Sequence, residues 1–262
     1  MVGSSPALAT AAMGGLPNRA CMLCGLTILS AAWTSAGAAT TTDRYASCPS
    51  SPVLPPPPLM PTSYNGIVLP EICYGDAMEE EHFFVIGDWG GVIEEKGEPP
   101  KPADNRGPGS VYRHFVHGVD DCAQQRVAAQ MGKAANVSQP RYVINAGDNF
   151  YWAGIEDTCG STECCDSTGQ FKHIFEEIYT GPGLDDKPWL GVLGNHDYGG
   201  WMFTRAWDQT IAYSWGPASR WITPALYWAQ RMRYPDFVVD YFFVDSNVND
   251  AMAPDSDPEH NM

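Results

Sequence analysis

Four short apolar runs punctuate the chain, and glycine ends each of the first three. They are His82-Phe83-Phe84-Val85-Ile86 before Gly87, Tyr142-Val143-Ile144-Asn145-Ala146 before Gly147, and Trp189-Leu190-Gly191-Val192-Leu193 before Gly194; the fourth runs from Phe237 to Val244. Runs of this length bounded by turn residues predict buried strands. Between the first two lies a polar, Gly- and Pro-rich loop from Gly91 to Gly109, then a stretch from Asp121 to Ala135 with Val127, Ala128 and Met131 at helical spacing. Phe171 to Tyr179 repeats that pattern ahead of the third strand, with Phe171, Ile174, Phe175 and Ile178 on one face. Strands alternating with helices predict an α/β fold with a largely parallel sheet, whose functional loops gather beyond the carboxyl ends of the strands. No internal repeat is present.

Upstream of Glu81 the pattern changes. Arg19 precedes an apolar run from Ala20 to Trp33, and Ala36, Gly37, Ala38 and Ala39 follow it. That order of basic, apolar and small residues predicts a signal peptide over residues 1–39. An uncleaved anchor is the alternative, but the run is shorter than the ~20 residues that span a bilayer. No stable membrane insertion is therefore expected after cleavage. Pro55 to Pro58 force an extended stretch, so residues 40–80 are expected to form a Pro-rich linker or pro-segment. Ordered structure is expected to begin at Glu81, with one catalytic domain over residues 81–262.

Composition narrows the function. With 262 residues, 44% of them hydrophobic, the chain can bury one substantial core. Acidic residues outnumber basic ones 31 to 15, a net charge of -16, so the surface repels nucleic acid and anionic membranes and neither is expected as a partner. A phosphorylated substrate would have to be drawn in by strong local positive charge, which bound metal ions supply. Cys21 and Cys24 fall inside the leader; Cys48, Cys73, Cys122, Cys159, Cys164 and Cys165 remain, an even number that favours disulfides over zinc or redox chemistry. Their pairing is open. The triplet Asn136-Val137-Ser138 fits a glycoprotein of the same secretory route.

A polar cluster follows each of the first three strands: Gly87-Asp88-Trp89-Gly90, Gly147-Asp148-Asn149-Phe150-Tyr151 and Gly194-Asn195-His196-Asp197. Taken singly, a Gly-Asp pair after a strand is a turn with an Asx-type hydrogen bond. Three such clusters in order, all opening onto one rim, point to a shared site. Carboxylate and phenolate oxygens suit a ferric ion, whereas a neutral amide suits a divalent one. Tyr151 stands three residues after Asp148, so a tight turn could aim both at one ion. The alternatives are a core role for Tyr151 and turn or capping roles for Asn195 and Asp197. His82, His114, His117 and His173 have no motif around them and are expected at the surface or in packing. The loop from Cys159 to Cys165 is expected to be pinned by disulfides over the site. Trp201 and Trp207 are expected in the core, with an aromatic wall for a leaving group as the alternative.

The order of the three clusters resembles the calcineurin-like metallophosphoesterases. Within them, Gly-Asp-Trp-Gly-Gly with Gly-Asp-Asn-Phe-Tyr is similar to the small, tartrate-resistant purple acid phosphatases, as are Ile211-Ala212-Tyr213-Ser214 and Tyr241-Phe242-Phe243-Val244-Asp245. The resemblance covers roughly His82 to Asn247. It implies a β-sandwich flanked by helices, of which this chain carries the N-terminal part. It also implies an acid phosphatase acting on phosphate monoesters through a binuclear centre of ferric iron with ferrous iron, zinc or manganese. By resemblance Asp88 would ligate the first metal with the Tyr151 phenolate, Asp148 would bridge both, and Asn195 would ligate the second. His196 would stand beside the phosphoryl group as the catalytic acid or charge stabiliser. A secreted, lysosomal or vacuolar location follows.

The family's remaining ligands, a His in a Gly-His pair and two in a Gly-His-x-His motif, have no counterpart here; His260 is the only histidine beyond Val244. A C-terminally truncated phosphatase is the expectation. A non-catalytic metal- or phosphate-binding homologue is one alternative and a related phosphodiesterase or nucleotidase another, against which Tyr151 argues.

Overall fold

A computed structural model of the chain describes residues 9–10, 45, 48–76, 78, 80–90, 122–151, 154–155, 171–199, 207–216 and 219–247. In chain order its elements are β1 (Ala9–Thr10), β2 (Ile67–Val68), β3 (Ile72–Cys73), β4 (Phe84–Ile86), α1 (Ala123–Ser138) and β5 (Val143–Asn145). A π-helical segment (Phe171–Glu176), β6 (Trp189–Gly191) and α2 (Asp208–Ala212) follow, α2 running on into a 3-10 turn at Tyr213–Trp215. The last three are β7 (Trp221–Ile222), β8 (Tyr227–Arg233) and β9 (Val238–Val244).

The first sheet has the order β1-β4-β5-β6-β7, with β4 to β7 parallel and β1 antiparallel at the edge. Its register sets the layers. Phe84, Val143, Trp189 and Trp221 lie opposite one another in one row and are wholly buried. They pack with Ala128, Met131 and Ala135 of α1 and with Phe171, Ile174 and Phe175. The next row, Val85, Ile144, Leu190 and Ile222, points to the other face, because successive side chains on a strand alternate. There Leu190 and Ile222 meet Leu69, Ile72, Trp228, Met232 and Phe243 of the second sheet. The result is helices on one sheet and a second sheet on its back, a mixed α/β arrangement with parallel pairing.

In the second sheet β8 is central: β2 and β3 pair with it in parallel and β9 antiparallel. Trp228, Gln230 and Met232 are buried between the sheets, while Val68, Tyr227, Phe242 and Val244 on the outer face are exposed. The Trp228 indole N–H donates to the Gly191 carbonyl at 3.0 Å, tying this sheet to β6.

The four anticipated strands and both helical stretches are present, the second as a π-helical segment. Structure begins earlier than Glu81, however. Residues 48–76, inside the stretch expected as a Pro-rich linker or pro-segment, supply β2 and β3, and Cys48 is bonded to Cys73. Two-residue strands carry no periodic signal, and they are held by pairing with β8 rather than by their own pattern. The chain masks β8 itself, because Gln230 sits at an inward position and Arg231 and Arg233 flank Met232. Of residues 1–39 only Ala9–Thr10 are described, paired along β4. Cys159, Cys164 and Cys165 lie outside the described residues, as do Trp201, His114, His117 and His260. Trp207 is in the core against Tyr198, and no helix among the described residues is long and apolar enough to cross a membrane.

The Cys48–Cys73 bridge closes a loop with a sequence separation of 25 residues. Chain-entropy reasoning for a loop of that size gives about 3.5 kcal/mol of stabilisation. Replacing both cysteines by serine is expected to lower the unfolding free energy by that amount in a urea titration.

Candidate metal centre

Three turns leave the carboxyl ends of β4, β5 and β6 and pack against one another. Asp88 follows β4 with φ 55°, and Gly147 and Asp148 follow β5 with φ 95° and 54°. Left-handed backbone is uncommon outside glycine, and aspartate is among the few side chains that adopt it. The turns are stitched together by their main chains: Asp88 N–H donates to Gly147 O at 3.1 Å, and Tyr151 N–H to Gly90 O at 3.0 Å. The third turn comes closer still. A β-carbon on Gly147 would lie 2.7 Å from the Gly194 nitrogen, and one on Gly194 would overlap the Asp148 carboxylate and its main-chain nitrogen. Glycine at the end of the second and third runs is thus required by close approach.

This packing brings Asp88, Asp148, Tyr151 and His196 together. The Tyr151 hydroxyl donates to Asp88 Oδ1 at 2.6 Å and lies 3.0 Å from Asp148 Oδ2. The other Asp148 oxygen accepts the His196 main-chain N–H at 2.9 Å. The His196 ring lies against the Tyr151 ring with centroids 4.2 Å apart. Asn195 is exposed on the same turn, one residue before His196, and among the described residues no hydrogen bond joins its side chain to the other four. His82 and His173 are elsewhere, beside Glu80 and Glu177 respectively.

Burial, reinforced by the hydrogen bond to Asp88 and the charge of Asp148, pushes the Tyr151 phenol well above its ordinary range. Two carboxylates and a phenol oxygen are held together here around one proton. A cation in the proton's place would satisfy three hard oxygen donors and reverse the push on the phenol, so these residues fit a hard metal ion. No group of three or more His, Cys, Asp or Glu side chains that could hold a metal occurs among the described residues. The fit to a cation therefore rests on the phenol beside the two carboxylates.

Beneath the rim runs a buried polar network that the chain's pattern did not reveal. Asp197 is wholly buried. Its Oδ1 accepts the main-chain N–H groups of Asn149 at 3.0 Å and Phe150 at 3.2 Å. Its Oδ2 accepts Gly194 N–H at 2.7 Å and the Asn149 side-chain amide at 2.9 Å. Burial pushes its carboxyl up and the nearby Asp148 charge adds to this, but the main-chain donors pull the other way, and four N–H donors aimed at its two oxygens hold it as the carboxylate. Asn149 Oδ1 in turn accepts from Asn145 Nδ2 at 2.6 Å and from the Trp89 indole at 3.1 Å, and the same indole lies 3.0 Å from Asn145 Oδ1. Asp197, Asn149, Asn145 and Trp89 are positioning residues. The one available signal was Asn145 itself, a polar residue inside an apolar strand, which requires partners once buried.

No protein-family model matches the chain. Individual curated proteins do match. Tartrate-resistant acid phosphatase type 5 of Oryctolagus cuniculus is 26% identical over 187 residues, 69% of this chain and 46% of the relative. Purple acid phosphatase 7 of Arabidopsis thaliana is 32% identical over 165 residues, 63% of this chain and 37% of the relative. Purple acid phosphatase 3 of the same plant is 35% identical over 123 residues, 47% of this chain and 29% of the relative. The chain is thus similar to purple acid phosphatases. It spans about half the length, or less, of the relatives it matches.

Replacing Asp197 by alanine would strand three main-chain N–H groups and one of the two Asn149 side-chain N–H bonds, the other donating to Val192 O. Leaving buried donors unsatisfied costs ~1–3 kcal/mol each where no relaxation occurs, so a loss on the order of 3 kcal/mol is expected after local adjustment. Urea unfolding of Asp197→Ala measures it, and an unchanged midpoint would remove the carboxylate from this role.

Proposed function

We propose that the chain hydrolyses phosphate monoesters as an acid phosphatase, on the sandwich of the calcineurin-like metallophosphoesterases. Its centre is binuclear, ferric iron with ferrous iron, zinc or manganese. The observation that carries this reading is the convergence of Asp88, Asp148 and Tyr151, with the phenol oxygen 2.6 and 3.0 Å from the two carboxylates. In such a centre Asp88 and Tyr151 would hold the ferric ion, Asp148 would serve both ions, and Asn195 would serve the divalent one. When bound, the two metal ions supply the positive charge that grips the phosphoryl group and the acidity that turns a water into a nucleophile.

The chain's own residues orient this chemistry. The His196 main-chain N–H fixes one Asp148 oxygen and leaves the other facing Tyr151. The Tyr151 ring packs against the imidazole, which would serve as the acid for the leaving alkoxide. On a chain of net charge -16, substrate attraction depends on this spot rather than on the general surface field. The Cys48–Cys73 bridge supports a secreted or vacuolar location, since such bonds persist in oxidising compartments.

A second reading is a metal- or phosphate-binding homologue without turnover. It is favoured by the side chains at the rim, since no group of three or more His, Cys, Asp or Glu that could hold a metal occurs among the described residues.

Metal analysis of the purified chain beside a chromogenic phosphate monoester assay separates these readings. Bound iron, a visible band that bleaches on reduction and hydrolysis at acidic pH are expected, with Tyr151→Phe abolishing the band. Iron and the band without hydrolysis would favour the second reading; neither iron nor hydrolysis would refute the first.

Replacing His196 by alanine is expected to reduce kcat by ~100-fold, the low end for loss of a general acid, with metal content unchanged. Steady-state kinetics and metal analysis on the same preparation check this.

A further inference from the structure

We propose that Asn136 is a modification site carrying an N-linked oligosaccharide on the end of the molecule opposite the candidate centre. Asn136-Val137-Ser138 is the chain's single Asn-x-Ser/Thr triplet. It forms the last three residues of α1, which stops at Gln139 in the left-handed conformation and at Pro140. Asn136 is exposed, and Val137 beside it is 84% exposed, so neither packs into the fold. The inward side of the same turn is taken by Ala135, wholly buried, with Gly183 packed against its carbonyl.

The space around the amide suits a bulky polar group. Asn136 lines an open groove of about 470 Å³ between α1 and the segment after the π-helix, with Gln125, Lys133, Thr180 and Pro182 among its walls. A sugar there would shade Val137 and lie against a mixed polar and apolar surface. The Ser138 hydroxyl donates to Ala134 O at 3.0 Å in the folded chain, so the triplet is read before α1 forms and the helix then folds with the sugar outward. The Cys48–Cys73 bridge is the independent sign of passage through the compartment where such transfer occurs.

The step balances without an added oxidant or reductant. The Asn136 Nδ2 attacks the anomeric carbon of an oligosaccharide carried on a polyprenyl diphosphate. A carbon–nitrogen bond forms, the carbon–oxygen bond to diphosphate breaks, and the Nδ2 proton leaves to base as the polyprenyl diphosphate departs. Topology keeps the product clear of the rim. The candidate centre lies at the carboxyl ends of β4 to β6, whereas α1 ends five residues before the amino end of β5.

The test is mass spectrometry of the full chain expressed in a eukaryotic secretory host, before and after an amidase that removes N-linked glycans. One glycan is expected, its removal converting Asn136 to aspartate in the released peptide. Asn136→Gln and Ser138→Ala are each expected to abolish the mass shift and Ser138→Thr to retain it, which separates sequon recognition from misfolding. An unmodified Asn136 in secreted protein, or a full chain retained unmodified in the cytosol, would overturn the proposal. The readout is mass, so its outcome is independent of phosphatase activity.

Discussion

The buried Asp197 carboxylate is the interaction on which the rim depends. Strands β4, β5 and β6 are three residues each, so sheet hydrogen bonding ends before the turns that carry the candidate donors begin. Past that point main-chain hydrogen bonds tie the first turn to the second, but among the described residues none ties the second to the third. Asp197 does so from below, accepting from both the second turn and the third. A carboxylate taken out of water is tolerable only when its lone pairs are filled, and here both oxygens are filled twice. Any displacement of one turn leaves either the acid or the amides short of partners, which makes the arrangement all-or-none.

The network also couples the rim to the hydrophobic interior. Trp89 belongs to the first turn by sequence and to the core by packing. Its ring centroid lies 5.2 to 6.3 Å from those of Tyr179, Trp189, Phe175, Trp221 and Phe150. Its indole N–H lies between Asn145 and Asn149. One side chain therefore transmits the position of the helix-facing core to the floor of the candidate centre. On the other face of the sheet, the hydroxyls of Tyr142, Tyr234 and Tyr241 meet at 2.8 and 3.1 Å, fixing the second sheet behind the first.

Much of this was legible in the chain, and what was not has a physical reason. Apolar runs closed by glycine marked β4, β5 and β6 because strands buried on both faces need no polar alternation. The same runs placed Asp88, Asp148, Tyr151 and His196 on one rim, since the residue after such a strand has nowhere else to go. Asn195 was equally legible by position, yet an exposed side chain is not fixed by packing. The second sheet escaped because β2 and β3 exist only through β8, and β8 hides its period behind Gln230 and two arginines. The network under the rim escaped because its members look like turn residues until the fold shows them sharing one buried carboxylate.

The left-handed backbone at Asp88 and Asp148 bears on how such a centre can drift over generations. Branched and bulky residues are disfavoured there, so the accessible exchanges are to asparagine or glycine. Neither can supply an anionic donor, and glutamate gains reach but not conformational ease. A lineage that loses the ion should therefore accumulate amides and glycines at these two positions while the turns persist, leaving an intact scaffold with a neutralised mouth.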